Sequence, residues 1–248
     1  MAKTLPPDLV LLGVIHHDPM GYKRTGDFLS RYRPDLVLVE ISPFGLRYRE
    51  LNARRLYRVF RQNLRAAAKR AGIAFRVAIT NPTITRIGRQ LHLPFEYRAS
   101  AAYCARTAAQ VVPVDWSDFS SQWIATWPEL ISPENLETLL RLEEKSLSIP
   151  ANYDLAARAI LGGRSAQEPL DPDEVLPGHQ REEHIASEIL ARLESSAPDR
   201  PLYIGGWRHL ISGGTFRTLR DILGIGLSGC FLLDRGPLFT QGRDEQDL

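Results

Sequence analysis

Two short apolar segments near opposite ends of the chain share one design. Residues 9–15 run through Gly13 and release His16, and a second segment repeats this pattern with Gly206 and His209. A continuous apolar run of this length is typical of a strand that is covered on both faces. A residue without Cβ lets neighbouring groups approach the backbone closely. We therefore predict two buried strands with a Gly-x-x-His motif at their carboxyl ends, and a weak internal duplication whose halves share one site.

The chain between these motifs alternates between helical and strand patterns. Residues 35–40 form another continuous apolar run, which ends in Glu40 and follows a helical pattern over residues 26–32. An alanine-rich helix over residues 97–110 precedes a strand that leads to Asp115. These repeats predict an α/β fold, in which duplicated βα halves form a mixed, largely parallel sheet with helices on both faces.

The length and composition indicate one domain. The 248 residues are 44% hydrophobic, which is enough to bury a sizeable core. We expect residues 1–248 to form a single domain in which residues 117–178 are a helical insertion. This insertion would cap the site and end in a loop rich in glycine, proline and acids.

The cysteine content and the lengths of the apolar stretches indicate in which cellular compartment to expect the protein. Two cysteines, Cys104 and Cys230, are poor material for a disulfide framework. No apolar stretch reaches the roughly 18 residues of a membrane span, and the amino-terminal apolar run is too short for a signal peptide. We expect a soluble, cytoplasmic protein without a membrane span.

Four polar residues follow predicted strands. Because the carboxyl ends of parallel strands meet at one edge of a sheet, His16, Glu40, Asp115 and His209 should lie together. Each has an ordinary alternative when it is taken singly. Either histidine could be structural, Asp115 could cap the next segment, and Glu40 could form an ordinary salt bridge, although burying it without a partner would be costly.

Glu96 and Arg98 extend this group. They begin the alanine-rich helix, and at a helix start both side chains can point into a cleft. Arg98 could bind a substrate carboxylate or stabilise a developing oxyanion. The alternative is a structural ion pair between the two. Arg181 and Glu183, further along the chain, are interpreted as residues that position their neighbours.

Six segments of the chain carry a family pattern, in the order Gly13-Val-Ile-His16, Pro34-Asp35-Leu-Val-Leu-Val-Glu40, Glu96-Tyr-Arg98, Val-Pro-Val-Asp115, Arg181-Glu-Glu-His-Ile-Ala186 and Gly206-Trp-Arg-His209-Leu-Ile-Ser-Gly213. In this order they resemble the TraB/PrgY and Tiki group, within the superfamily of erythromycin esterases and ChaN-like proteins. The resemblance covers nearly the whole chain. It implies a duplicated α/β fold, paired motifs around one pocket and hydrolase chemistry, which is metal-dependent peptide cleavage in the Tiki branch and metal-independent ester cleavage in the esterase branch.

Two departures from the pattern narrow the expectation. The carboxy-terminal membrane region of TraB-type proteins is absent, which argues against pheromone shutdown at a membrane. Val14 stands where the erythromycin esterases have the glutamate of Gly-Glu-x-x-His, which argues against macrolide hydrolysis.

We therefore expect a hydrolase of ester or peptide-like bonds that acts on a small molecule or a peptide. In one mechanism His16, His209 and a carboxylate hold a divalent ion, Mn, Co or Zn, that activates water. In the other there is no cofactor, His16 is the general base, and Arg98 and His209 stabilise the oxyanion. The sequence does not choose between them.

Two other functions stay open. The resemblance to ChaN-like proteins permits a protein that binds haem or a metal complex without turnover, through His16, His17 or Tyr153. A degenerate interaction module is the third alternative. A homodimer is one assembly that the sequence permits.

A basic stretch is the remaining feature. Residues 47–70 hold nine Arg or Lys residues against one acid, Glu50, and several arginines fall on one helical face. Such a face can bind nucleic acid or an anionic membrane. We favour a solvated face balanced by the acidic stretch 168–199, because the net charge is only +2, and we expect no nucleic-acid partner.

Overall fold

The computed structural model of the protein describes residues 9–142, 147–162, 172–213 and 217–238, with side chains for all of these except 172–177. This part of the chain contains six strands and eleven α-helices. The strands are β1 Val10–Val14, β2 Leu36–Val39, β3 Gln110–Pro113, β4 Pro201–Gly206, β5 Cys230–Leu232 and β6 Gly236–Pro237. The helices are α1 Gly21–Tyr32, α2 Pro43–Ala71, α3 Phe75–Ala78, α4 Pro82–Gln90, α5 Phe95–Cys104, α6 Ser117–Ala125, α7 Trp127–Leu130, α8 Pro133–Arg141, α9 Ile149–Gly162, α10 Pro172–Ser196 and α11 Leu219–Leu223.

The strands form one sheet in the order β3-β2-β4-β1-β5-β6. All neighbouring pairs are parallel except β5 and β6, which are antiparallel. The two Gly-x-x-His strands, β1 and β4, are direct neighbours, and Val14 is opposite Gly206. The predicted α/β fold with a mixed, largely parallel sheet is confirmed.

Helices cover both faces of this sheet because successive strand residues point to opposite sides. One face, which includes Leu38 and Tyr203, packs in a common core with α9, α10 and α11. On the other side, Phe28 of α1 contacts the ring of Phe231 in β5 at 5.8 Å. The Tyr103 hydroxyl of α5 donates to the Pro34 carbonyl, which precedes β2.

Capping signals decide where several helices begin and end. α2 begins at Pro43, because the Ser42 hydroxyl accepts from the Gly45 N–H and Pro43 occupies the first turn. It ends at Gly72, which adopts a left-handed conformation with φ 70°. α1 ends at Tyr32 as predicted, but begins at Gly21, five residues before the predicted start. No described helix is long and apolar enough to cross a membrane.

The chain divides into two compact units. Unit 1 comprises Met1–Glu40, Phe95–Asp115 and Ser148–Leu248, and it contains the whole sheet. Unit 2 comprises Ile41–Pro94 and Trp116–Leu147 and is helical where it is described. The insertion predicted for residues 117–178 is divided between the units, and part of it lies outside the described residues. The single domain and the capping role stay predictions.

Candidate active site

The polar residues after four parallel strands lie at one edge of the sheet. His16 follows β1, Glu40 follows β2, and Asp115 follows β3 by two residues. His209 lies on a 3-10 helix, Trp207–Leu210, which continues directly from β4. Two helices of the same unit add further charges, Glu96 from α5 and Arg181 with Glu182 from α10. All of these residues belong to unit 1.

Glu40 is the centre of this cluster. Its Oε2 accepts a hydrogen bond from the Gly206 N–H at 2.5 Å and lies 3.4 Å from His16 Nε2. Its Oε1 lies 3.0 Å from His209 Nε2 and 2.5 Å from Arg181 Nη2. Burial would raise the pKa of Glu40, but the charges of His209, Arg181 and His16 hold this pKa well below its ordinary value. Glu40 is therefore an ionised carboxylate that joins both motifs.

His16 is the member of the cluster that solvent reaches. Its side chain is 53% exposed, whereas that of Glu96, whose Oε1 lies 2.7 Å from His16 Nδ1, is 3% exposed. Partial burial works against a charged imidazole. The charge of Glu40, together with the contact to Glu96, outweighs this effect and raises the pKa of His16 well above its ordinary value. A buried carboxylate thus orients a reachable ring.

His209 lies deeper and touches carboxylates through both nitrogens. Nδ1 is 2.6 Å from Glu182 Oε1 and Nε2 is 3.0 Å from Glu40 Oε1. Burial would lower the pKa of His209, but the charges of Glu182 and Glu40 raise it to about 10. Glu182 Oε2 also accepts from the Leu219 N–H at the start of α11. His209 is therefore an imidazolium locked between two elements.

Arg181 supplies the counter-charge on the other side of Glu40. Its Nε donates to Asp115 Oδ1 at 2.7 Å, and its Nη2 donates to Asp115 Oδ2 at 2.9 Å and to Glu40 Oε1. The guanidinium thus binds Asp115 through two nitrogens and holds Glu40 beside it. The carboxylates, Glu40 first and then Asp115, raise the pKa of Arg181 well above its ordinary value despite burial.

The glycines of the two motifs permit this close packing. A Cβ at Gly206 would lie 2.8 Å from His16 Nε2, so any side chain there would displace the imidazole. A Cβ at Gly13 would lie 3.1 Å from the Trp207 Cα, which follows the neighbouring strand. The glycines of Gly-x-x-His are therefore needed for the approach of β1 and β4 near the site.

The structure gives Arg98 a different neighbour from the one expected. Its side chain is exposed, and the guanidinium lies over the ring of Tyr22 at 5.4 Å. Glu96, two residues earlier, is buried and faces His16. Residues two apart on a helix point in different directions, so Glu96 and Arg98 cannot both face the site from α5. Arg181, rather than Arg98, is the arginine that contacts the carboxylates of the cluster.

Asp18 and Tyr153 form a separate buried contact close to His16. Asp18 accepts from the Met20 N–H at 2.8 Å and pairs with Arg24 at 2.8 Å. The Tyr153 hydroxyl donates to Asp18 at 3.2 Å, and the Tyr153 side chain has no exposed surface. These contacts hold the turn after β1, and they engage the Tyr153 hydroxyl within the core.

Sequence reasoning missed two members of the site. Glu182 is not among the predicted site residues, although it lies in the Arg-Glu-Glu-His segment of α10. The signal in the sequence was its position on the apolar face of that helix, where the structure buries it. Tyr203 lies within β4, and its fully buried hydroxyl has no hydrogen-bond partner among the described residues. Burial, and then the charges of Glu40 and Glu182, raise the pKa of Tyr203 well above its ordinary value. It therefore stays neutral beside the cluster.

The donor set does not fit a resident divalent ion at His16 and His209. A histidine ligand must be neutral and offer a lone pair. Both nitrogens of His209 instead face carboxylates that keep it protonated at neutral pH, and Arg181 already neutralises Glu40. Within residues 9–238, where described, no group of three or more His, Cys, Asp or Glu side chains is arranged to hold a metal ion.

Comparison of the chain with protein-family models, with curated proteins and with solved structures gives no match.

Proposed function

We propose that this protein is a metal-independent hydrolase of ester or peptide-like bonds and that His16 is its general base. One observation carries the proposal. The His16 imidazole is half exposed, and buried carboxylates lie at both of its nitrogens, Glu96 at 2.7 Å and Glu40 at 3.4 Å. A solvent-accessible imidazole whose Nδ1 contacts a buried carboxylate is one arrangement in which histidine acts as a general base.

The contact with Glu96 decides which nitrogen reacts. A carboxylate accepts hydrogen bonds, so we assign the proton of neutral His16 to Nδ1 and the lone pair to Nε2. Nε2 takes one proton from a water molecule while the water oxygen bonds to the substrate carbonyl carbon. The same proton then passes to the leaving alcohol or amine as the scissile bond breaks, which leaves a carboxylic acid product.

Glu40 stabilises the charge that forms during this step. Its Oε2 lies 3.4 Å from Nε2, close enough to favour the imidazolium once the proton has been taken up. Arg181 and His209 keep Glu40 ionised and in place, so they are positioning residues for the base.

The resemblance to the TraB and Tiki group supports the reaction class. The segments that carry it supply His16, Glu40, Glu96, Arg181 and His209, which are the residues of this cluster. The metal-dependent route of the Tiki branch stays a prediction, and the ion-paired state of the cluster favours the metal-independent route.

A substrate panel tests the proposal. Purified protein is assayed on p-nitrophenyl esters and on short fluorogenic peptides, with chelator and separately with Mn²⁺, Co²⁺ or Zn²⁺. We expect turnover that chelation does not affect and that His16→Gln reduces by about 10²- to 10⁴-fold. His92→Gln is the matched control because His92 is exposed in unit 2 and should keep the full rate. Equal rates for the two variants, or no turnover on any substrate, would contradict the proposal.

A further inference from the structure

The outward face of α2 carries a row of cations that hydrolysis does not use. Residues 41–94 contain twelve Arg and Lys residues and one acid, Glu50. α2 buries Leu56, Phe60 and Leu64 in the core of unit 2. At 3.6 residues per turn, the opposite face is solvent-exposed and carries six of the nine cations of α2 in a row. The members of this cationic row are Arg47, Arg54, Arg58, Arg61, Arg65 and Lys69.

The described ion pairs of unit 2 do not involve the cationic row. The ion pairs within unit 2 join Arg70 to Glu134 at 2.7 Å and Arg141 to Glu137 at 2.8 Å. No carboxylate in the described part of unit 2 is paired with a member of the row. The acidic stretch 168–199, which we expected to balance these charges, belongs to unit 1. Unit 2 therefore presents concentrated positive charge despite the small net charge of the chain.

Two members of the row are ordered before any partner arrives. The guanidinium groups of Arg61 and Arg65 lie over the ring of Phe75 at 5.8 and 4.9 Å. Such stacking reduces the side-chain entropy that binding would otherwise remove. Five of the six cations are arginines, whose planar fork matches phosphate oxygens better than the ammonium of lysine does. The chemistry therefore suits a polymer of phosphates.

We propose that the cationic row of α2 binds the phosphodiester backbone of duplex DNA. From Arg47 to Lys69 the row extends about 33 Å at 1.5 Å per residue, roughly the axial length of ten base pairs. The major groove of B-DNA is wide enough to receive a helix face, whereas that of A-form RNA is too narrow.

Two other anionic partners fit less well. An amphipathic helix binds a membrane by inserting its apolar face, but the apolar face of α2 is buried in the core of unit 2. Proteins that bind single strands stack bases on several aromatic side chains. Phe44 is the exposed aromatic residue on the outward side of α2 among those described, and Arg61 and Arg65 cover Phe75. The observations therefore favour a duplex.

Salt-dependent binding of the full chain tests this proposal. A fluorescent duplex of about 24 base pairs is titrated between about 50 and 200 mM NaCl, and binding is read by anisotropy. Contact with about five phosphates predicts a slope of log K against log salt of about −4 to −5, a loss of about 300- to 1000-fold over this range. The triple variant Arg47→Gln, Arg54→Gln, Arg58→Gln should reduce the magnitude of the slope by about 3.

A charge-matched control distinguishes binding by the cationic row from an effect of the net charge of the protein. The triple variant Arg31→Gln, Arg106→Gln, Arg192→Gln removes three exposed cations from unit 1 and should bind like the wild type. Circular dichroism establishes that both triple variants are folded. The proposal is overturned if the wild type fails to bind at low salt, or if the control weakens binding as much as the α2 variant. Equally tight binding of single-stranded DNA, duplex RNA or phosphatidylserine vesicles would also overturn it.

Discussion

Glu96 and His16 are 80 positions apart in the sequence, and Glu96 Oε1 lies 2.7 Å from His16 Nδ1. Their exposures differ sharply, since the Glu96 side chain is 3% exposed and the His16 side chain 53%. A buried carboxylate thus acts on a ring that solvent reaches. This relationship makes the protonation of His16 depend on a residue that solvent does not reach.

The rate of hydrolysis should rise with pH through the pKa of His16, because the base acts in its neutral form. That pKa lies above the ordinary 6.5, so the rise should be centred on the alkaline side of this value. Glu96→Gln removes a charge that favours the imidazolium, and it should move the midpoint downwards while lowering the maximal rate. Profiles of kcat/KM between about pH 5 and 10 check this. Glu50→Gln, on α2, should leave the profile unchanged, and a rate that falls over this range would exclude His16 as the base.

Stability should fall as pH rises from neutral to alkaline values because of His209. Its pKa is raised from 6.5 to about 10 in the folded protein, so the folded state binds this proton more tightly than the unfolded chain does. The stabilisation is complete below pH 6.5 and disappears as pH rises through about 10. Its upper limit is on the order of 5 kcal/mol. Urea unfolding at several pH values measures it, and His209→Gln should flatten the dependence. An unchanged slope in that variant would refute this origin.

Alanine substitutions should destabilise the protein less at the exposed His16 than at the buried His209 and Glu40. His16→Ala should cost about 1–3 kcal/mol of unfolding free energy, because its own side chain is half exposed but the buried Glu96 carboxylate loses its contact with His16. His209→Ala and Glu40→Ala should each cost about 3–5 kcal/mol, because they leave buried charges without their partners. Urea denaturation of the three variants provides the comparison. A cost for His16→Ala as large as that for His209→Ala would contradict the proposed division of roles.

A methyl group at Gly206 should reduce activity through His16. The new Cβ would lie 2.8 Å from His16 Nε2, while the backbone at φ −57° accepts alanine without strain. Displacement of a catalytic group by about 1 Å costs about 10²-fold in rate, so we expect a loss of that size in Gly206→Ala. Gly26→Ala is the control, since its Cβ meets nothing within 4 Å and should raise helix stability by about 0.5–1 kcal/mol. Full activity in Gly206→Ala would contradict the prediction that the position of the His16 imidazole limits the rate.

Dialysis against a chelator should change neither the melting temperature nor the turnover. The reason is that the ion pairs of Glu40 with Arg181 and His209 already satisfy the charges that a metal would engage. Elemental analysis should find less than stoichiometric Mn, Co or Zn, and the visible spectrum should lack a haem band. A stoichiometric ion that His16→Ala removes would replace the proposed mechanism with the metal-dependent one. A haem band without turnover would favour the ChaN-like alternative.

Local pattern was enough to predict the sheet and four strand-end residues. Continuous apolar runs identify strands covered on both faces, and the first polar residue after such a run marks the sheet edge. His16, Glu40 and Asp115 follow from this reasoning, and His209 follows from the repeated Gly-x-x-His pattern, because each signal lies within a few residues of sequence. The glycines of the two motifs belong to the same local information, although the contacts that require them do not.

Only the tertiary structure decided which partners these residues meet. Glu96 faces the site and Arg98 faces Tyr22 because the rotation of α5 is set by packing against its neighbours. Arg181 and Glu182 enter the site because α10 lies along one face of the sheet, a result of apolar burial summed over many residues. Periodicity tells which side of a helix is buried, but the elements that meet there, and their register, depend on contacts between residues far apart in sequence.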